Sequence, residues 1–96
     1  MPKAYLVGHL TVTNPEGYAL YAAGVPALVA AHGGQYLVRG GESTQLEGES
    51  SGSRHVVIEF PSRAAALAWY NSDGYQAILP HRQANSIGQI ALIDGV

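Results

Sequence analysis

The chain has 96 residues, 47% hydrophobic and 12% charged, which is too apolar for a disordered polymer and too short for two cores, so residues 1–96 are expected to form one domain. Five Lys and Arg against seven Asp and Glu, a net charge of −2, leave no basic stripe for phosphates and argue against nucleic-acid binding. With no cysteine, no secretory-signal pattern at Met1-Pro2-Lys3 and no apolar run near the about 20 residues that span a bilayer, the expected setting is cytoplasmic, away from membranes.

Ala4 to Val12, rich in Tyr, Leu, Val and Thr, reads as a first strand. It stops at Thr13-Asn14-Pro15, where Asn14 is placed as an N-cap and Pro15 as the first helical residue. Tyr18, Tyr21, Val25, Leu28 and Val29 then recur at helical spacing, predicting one helix from Glu16 to His32 with a kink at Pro26. Gly33 and Gly34 end it, and Gln35 to Arg39 reads as a second strand.

Gly40 to Ser53 is a long polar connection in which only Leu46 offers an apolar anchor. Loops of that length serve as lids, interface arms or mobile segments, and the residues leave the choice open. Arg54 to Phe60 is a third strand. Pro61-Ser62 caps a second helix, which Asn71-Ser72-Asp73-Gly74 interrupts before Tyr75, Ile78, Leu79 and Arg82 resume it, with Pro80 in or ending the second piece. Ser86 to Ile93 is the last strand. The order βαββαβ is an α+β, ferredoxin-like arrangement with a four-stranded antiparallel sheet.

Alternation along the strands divides the sheet into two faces. Leu6, Gly8, Leu10, Tyr36, Val38, Val56, Ile58, Phe60, Ile90 and Leu92 form a nearly apolar set expected to face the helices. The other set is mixed: Tyr5, Val7, His9, Thr11, Gln35, Leu37, Arg39, His55, Val57, Glu59, Ile87, Gln89, Ala91 and Ile93. Left in water it would expose an apolar patch, and a chain of this length buries only about 60 to 65% of its unfolded surface, so a homodimer packed face to face is expected.

The segments Gly33-Gly34-Gln35-Tyr36-Leu37-Val38-Arg39-Gly40-Gly41, Val57-Ile58-Glu59-Phe60-Pro61-Ser62 and Ala68-Trp69-Tyr70-Asn71-Ser72, with Tyr75-Gln76 and Arg82, resemble the domain of unknown function 1330 family over nearly the whole chain. The resemblance implies a ferredoxin-like domain of the dimeric α/β-barrel superfamily, in which two four-stranded sheets close on each other. That superfamily includes small monooxygenases, isomerases, dehalogenases and haem-handling proteins, whose ligands often sit between helices and sheet. Gly74 departs from the proline or acidic residue many relatives carry, implying a looser helix break.

Four groups of residues are candidates for chemistry. Trp69, Tyr70, Tyr75 and Arg82 gather at the helix break, either as an aromatic box with one guanidinium for a planar or carboxylate ligand or as core, with Glu59 or a helix end as the acceptor for Arg82. His9 shares a face with Glu59, which makes it either a general base with an orienting acid or a hydrogen-bonding group of the dimer interface. Arg39-Gly40-Gly41 offers either an anion site or a strand end pairing across the dimer, and Arg54-His55 shares that ambiguity. The histidines His9, His32, His55 and His81 lack metal-ligand spacing, and Ser43 and Thr44 lack a nucleophile elbow, so neither a metal nor a cofactor is implied. The expected function is binding or transformation of a small organic molecule, without a cofactor, in a cavity between helices and sheet. Tyr70, Tyr75 and Arg82 would position the ligand, and a His or Tyr would move a proton. Whether the protein is an enzyme stays open beside the alternative of a non-catalytic structural, stress or interaction module.

Overall fold

A computed structural model describes residues 2–50 and 52–96. Its elements run β1 (Ala4–Val12), α1 (Pro15–Ala22), α2 (Val25–Ala31), β2 (Gln35–Arg39), β3 (Arg54–Phe60), α3 (Arg63–Tyr70), α4 (Asp73–Asn85) and β4 (Ser86–Asp94). The four strands form one sheet in the order β2-β3-β1-β4, every neighbouring pair antiparallel. This is the ferredoxin-like α+β arrangement, with β1 and β3 central and the helices over one face.

The helical layer is more divided than periodicity suggests. In place of one helix kinked at Pro26, α1 and α2 are separate, parted at Ala23 and Gly24. Pro26 occupies the first turn of α2, where the missing N–H would have had no intrahelical acceptor, so the proline starts a helix instead of bending one. Pro15 starts α1 in the same way, while Asn14 stands at the N-cap without a side-chain capping bond. The backbone N–H groups of Thr13 and Asn14 instead donate to the Asn85 carbonyl at 2.9 and 3.3 Å, tying the start of α1 to the end of α4.

Ser62 and Ser72 cap α3 and α4, their hydroxyls accepting from the N–H of Ala65 and Tyr75 at 3.1 and 3.3 Å. Such a cap satisfies one of the orphan donors of a first turn. Pro80 lies inside α4, which continues to Asn85. Gly74 stands in the first turn of α4 where a Cβ would come 2.7 Å from Leu28, so its missing side chain admits Leu28 from α2 and closes this junction. Gly33 ends the first helical pair with φ +76, and a Cβ on Gly34 would lie 2.7 Å from both Phe60 and Val29. Only glycines allow the chain to leave α2 so close to the sheet.

The core lies between the sheet and the helices, with Trp69, Tyr75, Phe60, Ile58 and Val29 as its largest fully buried side chains. Leu6, Leu10, Ile58 and Phe60 are buried on the helix side as the alternation requires, but Val38 is not. Tyr36 pairs with Ile58 and Val38 with Val57, an irregularity that makes Leu37 an extra residue in β2. A one-residue bulge inverts the parity of everything beyond it. Val38 therefore joins the outer face, and Arg39, paired with Val56, joins the helix face.

On the outer face, Leu37, Ile87 and Ile93 are 50%, 70% and 52% exposed, and Tyr5, Val7 and Val57 are half-buried. The connection from Gly40 to Ser53 has no regular structure among its described residues, and Ser51 lies outside them. Leu46 anchors nothing within the chain, being 88% exposed. Among the described residues no helix is long and apolar enough to cross a membrane.

Candidate functional site

Two cavities lie between the helices and the sheet and meet at Leu6 and Ile90, side chains that line both. The larger, about 190 Å³, is a half-open cleft lined by Leu6, Ile90 and Leu92 of the sheet and by Ala66, Leu67 and Tyr70 of α3. Apart from Tyr70 its walls are aliphatic. A dry apolar cavity of about 150 Å³ is known to accept benzene, so this lobe has room for an aromatic ring.

The smaller lobe, about 30 Å³, lies under α1 and the start of α2. Sheet residues Gly8, Leu10, Val56 and Ile58 form its floor, and Tyr18, Tyr21, Tyr36, Arg39 and Arg54 give it polar groups. It is large enough for a water molecule or a group of similar bulk. Gly8 lines it directly: a Cβ built there would find its nearest neighbour, Ile90 Cγ1, at 3.6 Å, an ordinary van der Waals contact, so a methyl fits at this wall of the lobe without displacing its neighbours.

The cations of this lobe rest on aromatic faces. The Arg54 guanidinium carbon lies 5.5 Å from the centre of the Tyr18 ring, and that of Arg39 lies 5.1 Å from the centre of Tyr36. Arg39 also donates from Nη2 to the Ala22 carbonyl at 3.3 Å, while the Arg54 Nε is buried with no hydrogen-bond partner. The ion pairs among the described residues are Lys3–Glu59 at 3.2 Å and Arg63–Asp94 at 2.8 Å, and neither involves these arginines.

Behind the lobe, the Tyr21 and Tyr75 hydroxyls are 2.8 Å apart, and the Arg82 guanidinium carbon lies 5.8 Å from the centre of the Tyr21 ring. Burial is the first cause pushing the Tyr21, Tyr36 and Tyr75 phenols above their ordinary value, and for Tyr21 the neighbouring Tyr75 adds to it. All three are therefore neutral hydroxyls at physiological pH, able to donate a hydrogen bond and unsuited to act as bases.

The aromatic cluster at the helix break is divided by the structure. Tyr70 reaches the larger lobe, whereas Trp69 and Tyr75 are wholly buried and line neither cavity. Trp69 stacks between Phe60 and Tyr75 at centroid distances of 5.4 and 4.2 Å, as a core residue does. Arg82 is buried beside the Tyr21–Tyr75 pair, not against Glu59, which lies on the far side of the sheet.

His9 does not meet Glu59 either. Register sets His9 opposite His55 and Tyr5 opposite Glu59, so Glu59 accepts from Tyr5 and Lys3, each at 3.2 Å, while the His9 and His55 Nδ1 atoms lie 2.7 Å apart. Both histidines belong to the outer face. No group of three or more potential metal ligands occurs among the described residues.

Sequence reasoning missed Tyr18, Tyr21 and Tyr36 as cavity residues and named Arg54, either as part of an anion site or as a partner across the dimer, without placing it in the cavity. For Arg54 a signal was present, since it precedes Val56 and Ile58 by one and two strand periods and so shares their face. For Arg39 none was, because the bulge arises from the pairing of two strands and leaves no mark on the period of one.

The Domain of unknown function (DUF1330) family model matches residues 3–96. A comparison with the curated proteins found no match. Among solved structures, a protein of unknown function from Rhodopseudomonas palustris is 18% identical with a TM-score of 0.81, covering 99% of this chain and 83% of its own. SnoaB, a cofactor-independent oxygenase from Streptomyces nogalater, is 16% identical with a TM-score of 0.65 over 100% of this chain and 95% of its own. A putative antibiotic biosynthesis monooxygenase from Caulobacter crescentus is 20% identical with a TM-score of 0.65 over 99% and 91%. At such identities the solved structures speak for the shared fold, whereas the family match spans nearly every residue, and the chain belongs to the DUF1330 family.

Proposed function

We propose that the slot between the helices and the sheet binds a small organic molecule, without a cofactor, in a homodimer formed by the outer faces of two sheets. The observation that carries this reading is the apolar lobe of about 190 Å³ opening beside a lobe lined by phenols and guanidinium groups. A ligand site is an apolar cleft with a few placed polar groups, and the slot has that composition. The fold is shared with a cofactor-independent oxygenase, which is compatible with small-molecule chemistry without a cofactor, although a fold by itself does not carry a reaction.

The slot contains hydrogen-bond donors but, among the residues lining it, no carboxylate and no imidazole. Binding and stabilisation of negative charge are within its chemistry; proton abstraction by a side chain of the slot is not. Any reaction there would draw on Tyr21, Tyr70, Arg39 and Arg54, with Tyr75 and Arg82 holding Tyr21 from behind. The dimer reading rests on the exposed aliphatic residues of the outer face, which a second copy would cover.

The test is a thermal-shift panel of aromatic acids, lactones, quinones and neutral aromatics against the protein and its Gly8→Val variant. A ligand at about 100 times its dissociation constant adds about 2.7 kcal/mol to a native state that alone binds it. The reading expects at least one such shift in the parent protein and its loss when the valine fills the lobe. A shift retained by Gly8→Val would move the site elsewhere, and no shift across the panel would favour a structural or interaction module.

A further inference from the structure

We infer that the ligand is an organic anion, an aromatic carboxylate whose acid group lies between Arg39 and Arg54 and whose ring fills the apolar lobe. The inference rests on the slot being a binding site. It begins from the register. Arg39 pairs with Val56, and Arg54 stands two residues from Val56 on the same face, so the two arginines are diagonal cross-strand neighbours, with Cβ atoms about 7 Å apart. Like charges at that spacing repel, and an anion placed between them would relieve the repulsion.

Among the described residues no acid stands beside or between them. Neither arginine takes part in an ion pair, and Glu42, Glu47 and Glu49 of the connection that leaves β2 are exposed. The Arg54 Nε, buried and without a partner, is a charged donor removed from water with nothing to accept from it, an arrangement that an incoming oxygen would complete. Arg54 lies over the Tyr18 ring and Arg39 over the Tyr36 ring, and Arg39 gives one Nη2 hydrogen bond to the Ala22 carbonyl, which leaves the Arg54 Nε and the other N–H groups of Arg39 for a ligand. A guanidinium presents those N–H groups in a fork matched to a carboxylate.

The remainder of the ligand follows from the second lobe. It meets the first at Leu6 and Ile90 and is aliphatic except for Tyr70, so it takes an uncharged ring continuous with the acid. Chain acids of comparable length would fit less well, since ordering their rotors opposes binding in a cavity of fixed shape. The small size of the polar lobe, about 30 Å³, favours a single carboxylate over bulkier anions.

The experiment compares 2-naphthoate with its neutral isostere 2-naphthamide by calorimetric titration of the full chain at constant ionic strength. The acid should bind about tenfold more tightly than the amide, the preference expected when one charge-assisted contact is lost. Arg54→Met and Arg39→Met should each reduce that preference to about twofold or less by weakening the acid far more than the amide, and Arg54→Lys should restore part of it. A purely structural role for the arginines would alter both affinities together. Equal binding of acid and amide by the parent protein, with both abolished by Gly8→Val, would overturn the anion assignment and leave the slot standing. Failure of both compounds to bind would overturn the assignment of an aromatic carboxylate, and the slot itself is then judged by the wider ligand panel.

Discussion

Arg39 faces Val56 across β2 and β3, and this pairing, one residue out of step with strict alternation, sets a second guanidinium beside Arg54. Were Leu37 paired with Val57 in regular alternation, Arg39 would face His55 and project from the outer face. The bulge thus moves a cation from the outer face of the sheet to the exposed edge of the cavity, in keeping with the use of bulges to re-aim single side chains.

Arg54 is predicted to cost the fold something. Its Nε is buried and unpaired, and replacing an uncompensated charge with an apolar chain of similar length is commonly neutral or stabilising. Arg54→Met should leave the midpoint of thermal unfolding unchanged or raise it, while removing preference for acidic ligands. A midpoint lowered by more than about 5 °C, roughly 1 kcal/mol for a domain of this length, would show that the arginine is a structural member of the sheet.

Gly8 is predicted to be replaceable by alanine. A Cβ there meets nothing nearer than 3.6 Å, and glycine within a strand is unfavourable through its unfolded-state entropy. Gly8→Ala should stabilise the protein by about 0.5–1 kcal/mol in denaturant unfolding and weaken ligand binding, because the added methyl enters the polar lobe. Destabilisation would mean that the space above Gly8 is closed.

Trp69 is predicted to matter to the core and not to a ligand. It is fully buried between Phe60 and Tyr75, and truncating such a residue costs about 3–5 kcal/mol, a large share of the 5–15 kcal/mol typical of a domain. Trp69→Ala should therefore be largely unfolded at 37 °C by circular dichroism. As the sole tryptophan of the chain, Trp69 also reports unfolding, and its emission should not be quenched by a ligand in either lobe at contact range.

Alkaline pH supplies an independent check on the buried phenols. Tyr21 and Tyr75 are raised above the ordinary 10.0 by burial first. Below pH 10 both states keep these protons and stability does not depend on them. Above it the unfolded chain releases protons the native state retains, so stability falls by about 1.4 kcal/mol per pH unit for each tyrosine. Urea unfolding between pH 8 and 12 should show a plateau and then this decline. A flat profile to pH 12 would mean that the phenols ionise in the folded protein as they do in water.

Much of the fold was legible in the residues. β1, β2 and β3 have the bounds expected from composition and turns, and β4 extends one residue further, to Asp94. Alternation correctly places Leu6, Leu10, Ile58 and Phe60 in the core. It fails at Val38 and Arg39, where register belongs to a pair of strands, and at Pro26, where an uninterrupted apolar stripe conceals a change from one helix to another. Trp69 and Tyr75 were legible as a cluster, but composition does not distinguish aromatic rings stacked on one another from rings surrounding a space.

The outer face is predicted to be the dimer contact. Val57 lies at its centre, paired with Val7 and Val38, and a carboxylate there would be buried without a partner. Val57→Glu should weaken the dimer at least about 100-fold, roughly 3 kcal/mol, and elute as a folded monomer or precipitate. An unchanged dimer by light scattering would place the contact elsewhere.

The central claim, that a ligand enters between helices and sheet, is tested most directly by methyl NMR with 2-naphthoate. Leu6, Leu10, Val56, Ile58 and Ile90 alternate along the strands with Val7, Val57, Ile87 and Ile93, so neighbouring residues report opposite faces of the same sheet. The account predicts that the first set shifts on addition of the acid and the second does not. Shifts confined to Val7, Val57, Ile87 and Ile93 would contradict it and transfer the binding site to the face that carries His9 and His55.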